Sequence, residues 1–168
     1  MALQLFKIAS VEVATPQTSI DFTSIPQGYT DLLVKISIRS TDANINDGAN
    51  FYFNSDTTGA NYSFKRIYGN GATTTSDTSS ASYRWFFVNG NTATTNTMGN
   101  AELYIPNYTG SSYKSGYVDF VIENNATTGY DGLVAGIWLS TSAITALSIA
   151  SGGNYFMAGS TATLYGVL

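Results

Sequence analysis

The sequence predicts an all-β protein, an antiparallel sandwich or barrel with little helix, and three observations carry that expectation. Apolar residues recur at every second position through most of the chain, which is the period of a strand with one face in a core. Glycine, proline, Asn-Gly and Asp-Gly punctuate these runs at near-regular intervals, and Asn-Gly and Asp-Gly accept the positive φ that tight hairpins need. No segment carries a convincing amphipathic helical period; residues 140–151, STSAITALSIAS, are the one ambiguous stretch.

The runs are read in chain order. The first spans Leu3 to Val13 and the second Thr18 to Phe22, separated by Pro16. After Pro26-Gln27-Gly28 comes the clearest case, in which Leu32, Val34, Ile36 and Ile38 interleave with Leu33, Lys35, Ser37 and Arg39. Shorter runs follow at Phe51–Asn54, Tyr62–Tyr68, Tyr83–Val88 and Ala101–Ile105, bounded by Asp47-Gly48, Asn70-Gly71, Asn89-Gly90, Gly99-Asn100 and Pro106-Asn107. Val118, Phe120 and Ile122 then alternate with Tyr117, Asp119, Val121 and Glu123. Leu133–Leu139, Ala146–Ala150 and Thr161–Val167 complete the set, with breakers at Gly129, Gly152-Gly153 and Gly159. That makes about ten or eleven strands, a number suited to a sandwich or a barrel. The segments Gly69–Ser82 and Asn89–Asn100 are low in complexity and poor in apolar residues, and both are expected to be exposed loops. No internal repeat or linker divides the 168 residues, so the whole chain, 1–168, is read as a single domain.

Composition narrows the function. Charged residues make up 11% of the chain against 43% hydrophobic and 14% aromatic, so the chain has the composition of a folded protein whose polar surface is hydroxyl and amide. A net charge of −4, with its seven lysines and arginines scattered, gives no footprint for nucleic acid. No apolar run is long enough to span a bilayer, and the first residues alternate like a strand with no basic region ahead of them, so neither a membrane nor a signal peptide is expected. Without cysteine there is no disulfide, and stability has to come from the core or from contacts between copies.

Catalytic chemistry is thinly supplied. The chain has no histidine and no cysteine, which removes Ser-His-Asp and Cys-His sites within one subunit. Asp119 and Glu123, four residues apart on one strand, stand about 13 Å apart, outside the roughly 5–9.5 Å of glycosidase pairs. Residues Asp42–Gly48, DANINDG, space oxygens in the manner of a calcium loop, yet Asp47 and Phe53 stand where that loop wants its glycine and its bidentate glutamate. The loop reads as an Asx-rich turn; no metal, no cofactor and no enzymatic activity are expected.

What the chain does offer is apolar strand surface. Tyr83, Trp85 and Phe87 read as one face of a strand whose other face carries Arg84, Phe86 and Val88, so both faces are rich in apolar groups. The same double character recurs at Leu3, Leu5, Phe6 and Ile8. Surplus apolar surface of this kind marks contacts between proteins, and Leu3, Leu5, Phe6, Ile8, Tyr83, Trp85 and Phe87 are the candidate interface residues. An alternative is a sugar platform built on Tyr83, Trp85 or Tyr113.

Three segments carry a resemblance: Ile20 to Pro26 (IDFTSIP), Phe53 to Tyr62 (FNSDTTGANY) and Ala162 to Gly166 (ATLYG). Together they resemble a group of small β-rich virion proteins of tailed bacteriophages, including cyanophages. Glu102 to Ser115 and Glu123 to Trp138 are similar in style, so the likeness covers most of the chain. The resemblance implies a jelly-roll-like subunit, a homotrimer, made in the bacterial host cytoplasm and carried on the outside of the virion. It further implies a capsid cement or decoration protein that binds the major capsid protein of an HK97-like shell; the alternative is a tail-associated receptor- or glycan-binding protein. Contact elements would be the strand around Leu3 to Ile8 and the loops Asp42–Asn46 and Asp56–Asn61.

Overall fold

The computed structural model describes residues 4–126 and 129–168. It contains twelve strands: β1 Leu5–Glu12, β2 Ser19–Phe22, β3 Asp31–Ile38, β4 Asn46–Phe53, β5 Tyr62–Gly69, β6 Thr74–Ser79, β7 Arg84–Asn89, β8 Gly99–Ile105, β9 Lys114–Ile122, β10 Tyr130–Trp138, β11 Leu147–Ser151 and β12 Thr161–Val167. A single 3-10 turn at Gly59–Asn61 is the only helix among the described residues. The strands form two antiparallel sheets, one of eight in the order β1-β12-β3-β8-β9-β10-β5-β6 and one of four in the order β2-β11-β4-β7. The sheets enclose one continuous apolar cluster that includes Ile20, Phe51, Phe53, Trp85, Phe86, Leu103, Val118, Val134 and Leu164. Side chains of this size each gain roughly 1.5–3 kcal/mol from leaving water, which is what offsets the ordering of a chain so rich in serine, threonine and glycine.

Each expected run is a strand, and the ambiguous stretch 140–151 resolves into a loop followed by β11. The period-two reading is cleanest in β9 and β10, where buried and exposed positions alternate along most of each strand. One strand was not expected. β6, TTSDTS, lies within the low-complexity segment Gly69–Ser82 and has no apolar residue to announce it. Besides its backbone ladder it is tied to β5 by two side chains: the Thr78 hydroxyl donates to Phe64 O (2.9 Å), and Asp77 stands opposite Arg66 and accepts two hydrogen bonds from its guanidinium, at 3.0 and 2.5 Å. Arg66 is buried, with its guanidinium carbon 4.3 Å from the Phe87 ring centre and 5.0 Å from that of Phe64. A fork-shaped cation can stack on rings and still bind a carboxylate with two donors.

The second low-complexity segment is also not a simple exposed loop. Residues 91–97 fold over the end of β3 and wrap the side chain of Arg39, which is buried although the alternation places it with water-facing Lys35 and Ser37. Its guanidinium donates to the carbonyls of Thr94 (2.6 Å), Ala93 (2.8 Å), Thr97 (2.9 Å) and Asn91 (3.1 Å). The polar segment thus acquires its shape from a cation supplied by another strand.

Asp47-Gly48 is a further departure, since it lies inside β4 and not in a turn. The register shows why a glycine is needed there. The Arg84 side chain crosses Gly48, and a Cβ would fall 2.3 Å from Arg84 Cδ. The register of β4 against β7 slips by one residue at this point, so that Asn50 pairs with Arg84 and Ala49 with Phe86. Trp85 is the extra residue of a β-bulge, which interrupts alternation and lets Trp85 and Phe86 both enter the core. The expected division of Tyr83, Trp85 and Phe87 from Phe86 and Val88 by face is therefore incorrect.

Candidate interaction surface

The exposed residues of the eight-stranded sheet lie in rows across neighbouring strands, and the register fixes the rows. One row runs through Ser76, Ile67, Leu133 and Asp119 on β6, β5, β10 and β9, and continues through Glu102, Lys35, Thr163 and Ser10. The β8–β3–β12–β1 half of this row is polar and internally paired. Lys35 and Glu102 form an ion pair, and the Ser10 and Thr163 hydroxyls share a 2.8 Å hydrogen bond. In the other half two apolar residues, Ile67 and Leu133, stand between Ser76 and Asp119. Leu133 is 62% exposed and Ile67 is 59% exposed, directly opposite each other, with Val121, Tyr117 and Ile137 exposed around them. Together with Lys65 and Thr78 these strands form a shallow trough of about 760 Å³ whose open walls are mostly carbon.

The sequence of β10, YDGLVAGIW, explains how large apolar residues come to face outward. Gly132 and Gly136 face the core, where a Cβ on Gly132 would fall 2.7 Å from the Phe120 ring and one on Gly136 would fall 2.4 Å from the Trp85 indole. The aromatic rings occupy the space above the glycines, and the alternate positions, Leu133, Ala135 and Ile137, are left on the open face. From Gly132 to Trp138 every position is apolar or glycine, and hydrophobicity alone does not say which face is buried. The discriminating signal was the small residue at every fourth position. That signal sends Leu133 and Ile137 outward; Tyr117 and Val121 already stand on the expected outer face of β9, and Ile67 on β5 joins them only through the register.

The candidate interface residues separate into three groups. Leu5 and Phe6 are exposed at the beginning of the edge strand β1, with Phe6 stacked on Tyr29 at 5.8 Å between ring centres. Ile8 is half-buried and packs against the core, at the point where the β1–β12 register shifts. Leu3 lies outside the described residues. The aromatic set is corrected. Trp85 has no exposure at all, lying edge-on to Phe51 and Phe53, so it cannot meet another protein or a sugar. Phe87 is enclosed by Tyr68, Phe120 and Tyr130 beneath Arg66. Tyr83 is half-buried, edge-on to Tyr52 and Tyr62, whereas Tyr113 is well exposed.

The two candidate contact loops are held tightly. In the first, Asp42 Oδ1 accepts hydrogen bonds from the Asn44 backbone N–H (2.8 Å) and Nδ2 (2.7 Å), while Oδ2 accepts from Asn154 Nδ2 (2.7 Å). The backbone N–H of Asn44 and its companions hold the Asp42 carboxyl below its ordinary range. Both carboxylate oxygens of Asp42 are engaged by amide donors, and Asn46 belongs to β4. Among the described residues no three acidic side chains gather as a metal site. In the second loop Asp56 accepts from Trp138 Nε1 (2.9 Å), Asn61 Nδ2 (2.8 Å) and the Thr58 N–H (2.9 Å). Burial pushes its carboxyl upward, but those three donors outweigh it and the net displacement is downward.

Beside the trough, Tyr104 stacks on Tyr117 at 5.4 Å and donates its hydroxyl to the Asp31 carboxylate. That hydrogen bond, with burial and the carboxylate's charge, raises the phenol from 10.0 to about 12. A folded-state value above the unfolded one means that the folded chain holds the proton more tightly. The contribution to stability is complete below pH 10 and is lost as pH climbs from 10 through about 12. Following tyrosinate absorbance alongside denaturant midpoints across this window checks it. Asp31→Asn is expected to move one phenol back toward 10.0 and to flatten the alkaline loss; an unchanged titration would show that the Asp31 carboxylate does not hold this proton.

No protein-family model matches the chain, and no curated protein matches it in sequence.

Proposed function

We propose that this chain is a structural protein of a tailed-bacteriophage virion, a capsid cement or decoration protein that binds the outside of an HK97-like shell as a homotrimer and stabilises the head. The observation that carries the reading furthest is the group of exposed apolar residues on the eight-stranded sheet, Leu133 and Ile67 with Val121, Tyr117 and Ile137 around them. Soluble monomers seldom leave such a patch open. A second support is the set of turn and strand motifs that resembles small virion proteins. The protein acts by binding and transforms no molecule. Apolar strand surface joins its copies, and its rigid polar loops meet the coat.

A jelly-roll assignment fits this reading. An eight-stranded jelly roll places its first, eighth, third and sixth strands in one sheet and its second, seventh, fourth and fifth in the other. Counting β2 as the first strand and β10 and β11 as the last two, the small sheet β2-β11-β4-β7 follows the first order. The large sheet follows the second, β3, β10, β5, β6, once the β8–β9 hairpin is taken as an insertion between β3 and β10 and the β12–β1 pair as an addition at the edge.

The test is location and stoichiometry. Purified particles are expected to contain this chain in numbers comparable to the coat protein, and the isolated protein should sediment with shells that lack it. A handful of copies per particle would indicate a tail component instead. Complete absence from particles would end the proposal.

A further inference from the structure

We infer that Asn70 is a site of self-modification: the backbone nitrogen of Gly71 attacks the Asn70 side-chain amide, ammonia leaves, and water opens the resulting succinimide to isoaspartate and aspartate. The chain has two Asn-Gly pairs, Asn70-Gly71 and Asn89-Gly90, which the sequence presents alike as turn signals. The structure separates them. Asn70 stands in the turn between β5 and β6, where Gly71 and Ala72 are exposed. Its Oδ1 accepts hydrogen bonds from the backbone N–H groups of Ala72 (3.0 Å) and Thr73 (2.8 Å) and from the Thr73 hydroxyl (3.3 Å). Two backbone donors facing one side-chain atom identify it as the oxygen, so Nδ2 is the end with no partner among the described residues. The Gly71 N–H is likewise unpaired among the described residues, and at φ +83° Gly71 has open space where a side chain would stand. Asn89 has the opposite surroundings. It is fully buried, its Nδ2 donates to Thr97 Oγ1 (2.7 Å) and Glu123 O (2.9 Å), its Oδ1 accepts from the Glu123 N–H (3.3 Å), and the Gly90 N–H donates to Ile45 O (2.7 Å). Nucleophile and leaving group are both held there.

The turn supplies what the reaction needs. Binding Oδ1 to the N–H groups of residues 72 and 73 curls the carboxamide forward over the Gly71 peptide, so nucleophile and electrophile are already neighbours. During attack negative charge gathers on Oδ1, and the donors at 2.8 and 3.0 Å stand at the distances of an oxyanion hole. The new bond joins Gly71 N to Asn70 Cγ, and the N–H proton passes to hydroxide or buffer base in the solvent. The Cγ–Nδ2 bond then breaks, and its nitrogen takes a proton from water and leaves as ammonia. Hydrolysis of the ring at Cγ gives aspartate; hydrolysis at the main-chain carbonyl gives isoaspartate and routes the backbone through the former side chain. Water is consumed and ammonia released, with no other reactant. Either product carries a new carboxylate. The turn lines one side of a hollow of about 620 Å³ that Asp119, Asp131 and Leu133 also line, so the added charge borders two existing carboxylates at the margin of the exposed apolar group.

The full chain tests this when it is incubated folded and, in parallel, unfolded in urea, in mildly alkaline buffer made with water enriched in heavy oxygen. Peptide mass spectrometry follows each Asn-Gly pair, and an isoaspartate-specific methyltransferase provides a second readout. In the folded chain Asn70 is expected to deamidate roughly tenfold faster than Asn89 or more. Its product should contain heavy oxygen and include isoaspartate as well as aspartate. Unfolding should release Asn89, so that the two pairs react at similar rates, and should not accelerate Asn70, whose donors are lost with the turn. A folded Asn70 as inert as Asn89, an Asn70 that folding protects, or a product with aspartate and no isoaspartate overturns the inference. The outcome does not depend on the virion reading, which co-sedimentation with shells decides separately.

Discussion

Trp85→Ala is expected to lower the stability of the folded chain by about 3–5 kcal/mol, the range for deleting a large aromatic from a packed core. Trp85 is fully buried, with ring centres 5.7 Å from Phe51 and 5.9 Å from Phe53, and its indole lies flush against the backbone of Gly136 on the opposite sheet. The residue therefore joins the sheets, and a cavity left there has walls held by two separate ladders. Gly136→Val approaches the same contact from the other side. Its Cβ would fall 2.4 Å from the indole, a distance no rotamer adjustment of valine relieves, so it too should destabilise strongly. Trp85→Phe is expected to cost much less than the alanine variant, because the indole N–H has no hydrogen-bond partner among the described residues to lose. Urea midpoints at constant slope measure all three, and an alanine variant within about 1 kcal/mol of the parent would refute the account.

Arg39→Met is the second large effect, expected at about 2–4 kcal/mol, since it removes a buried charged donor from several carbonyls at once. Among the described residues no carboxylate bonds this guanidinium; its charge is met by the carbonyl dipoles of Asn91, Ala93, Thr94 and Thr97. Without it those oxygens must find water, which they can do only if the loop opens. Hydrogen exchange should therefore report the change locally as well as globally. The amides of Ala93 and Thr97, now bonded to Gly90 O and Thr94 O, should exchange much faster while those of β9 are slowed less by the fold only to the extent of the global loss. Arg39→Lys should rescue little, because a single ammonium cannot span four acceptors set around a planar fork. Unchanged exchange at Ala93 and Thr97 in the methionine variant would show that the loop is ordered by something else.

The legible and the hidden parts of this molecule divide along a physical line. Alternation in β3, β9 and β12 was readable because each pairs one apolar face with one more polar face, and burial of that face sets the strand by itself. The Pro-Gln-Gly and Asn-Gly stops were readable for local reasons of backbone conformation. Neither argument reaches β6, whose partners, Arg66 for Asp77 and the Phe64 carbonyl for Thr78, are supplied by another strand. Nor does either reach Trp85, whose direction depends on a one-residue slip against β4, or Arg39, buried by a loop about fifty positions away in the chain.

The interaction surface is the sharpest instance. The sequence by itself determined that this chain forms antiparallel strands and carries more apolar strand surface than a small core requires. Only the tertiary structure decided where the surplus goes. Aromatic rings from β7 and β9 claim the space over Gly132 and Gly136, and that sterically assigns Leu133 and Ile137 to the open face. Side-chain period is local, whereas the choice of which face meets the opposite sheet is made by volumes contributed from distant segments.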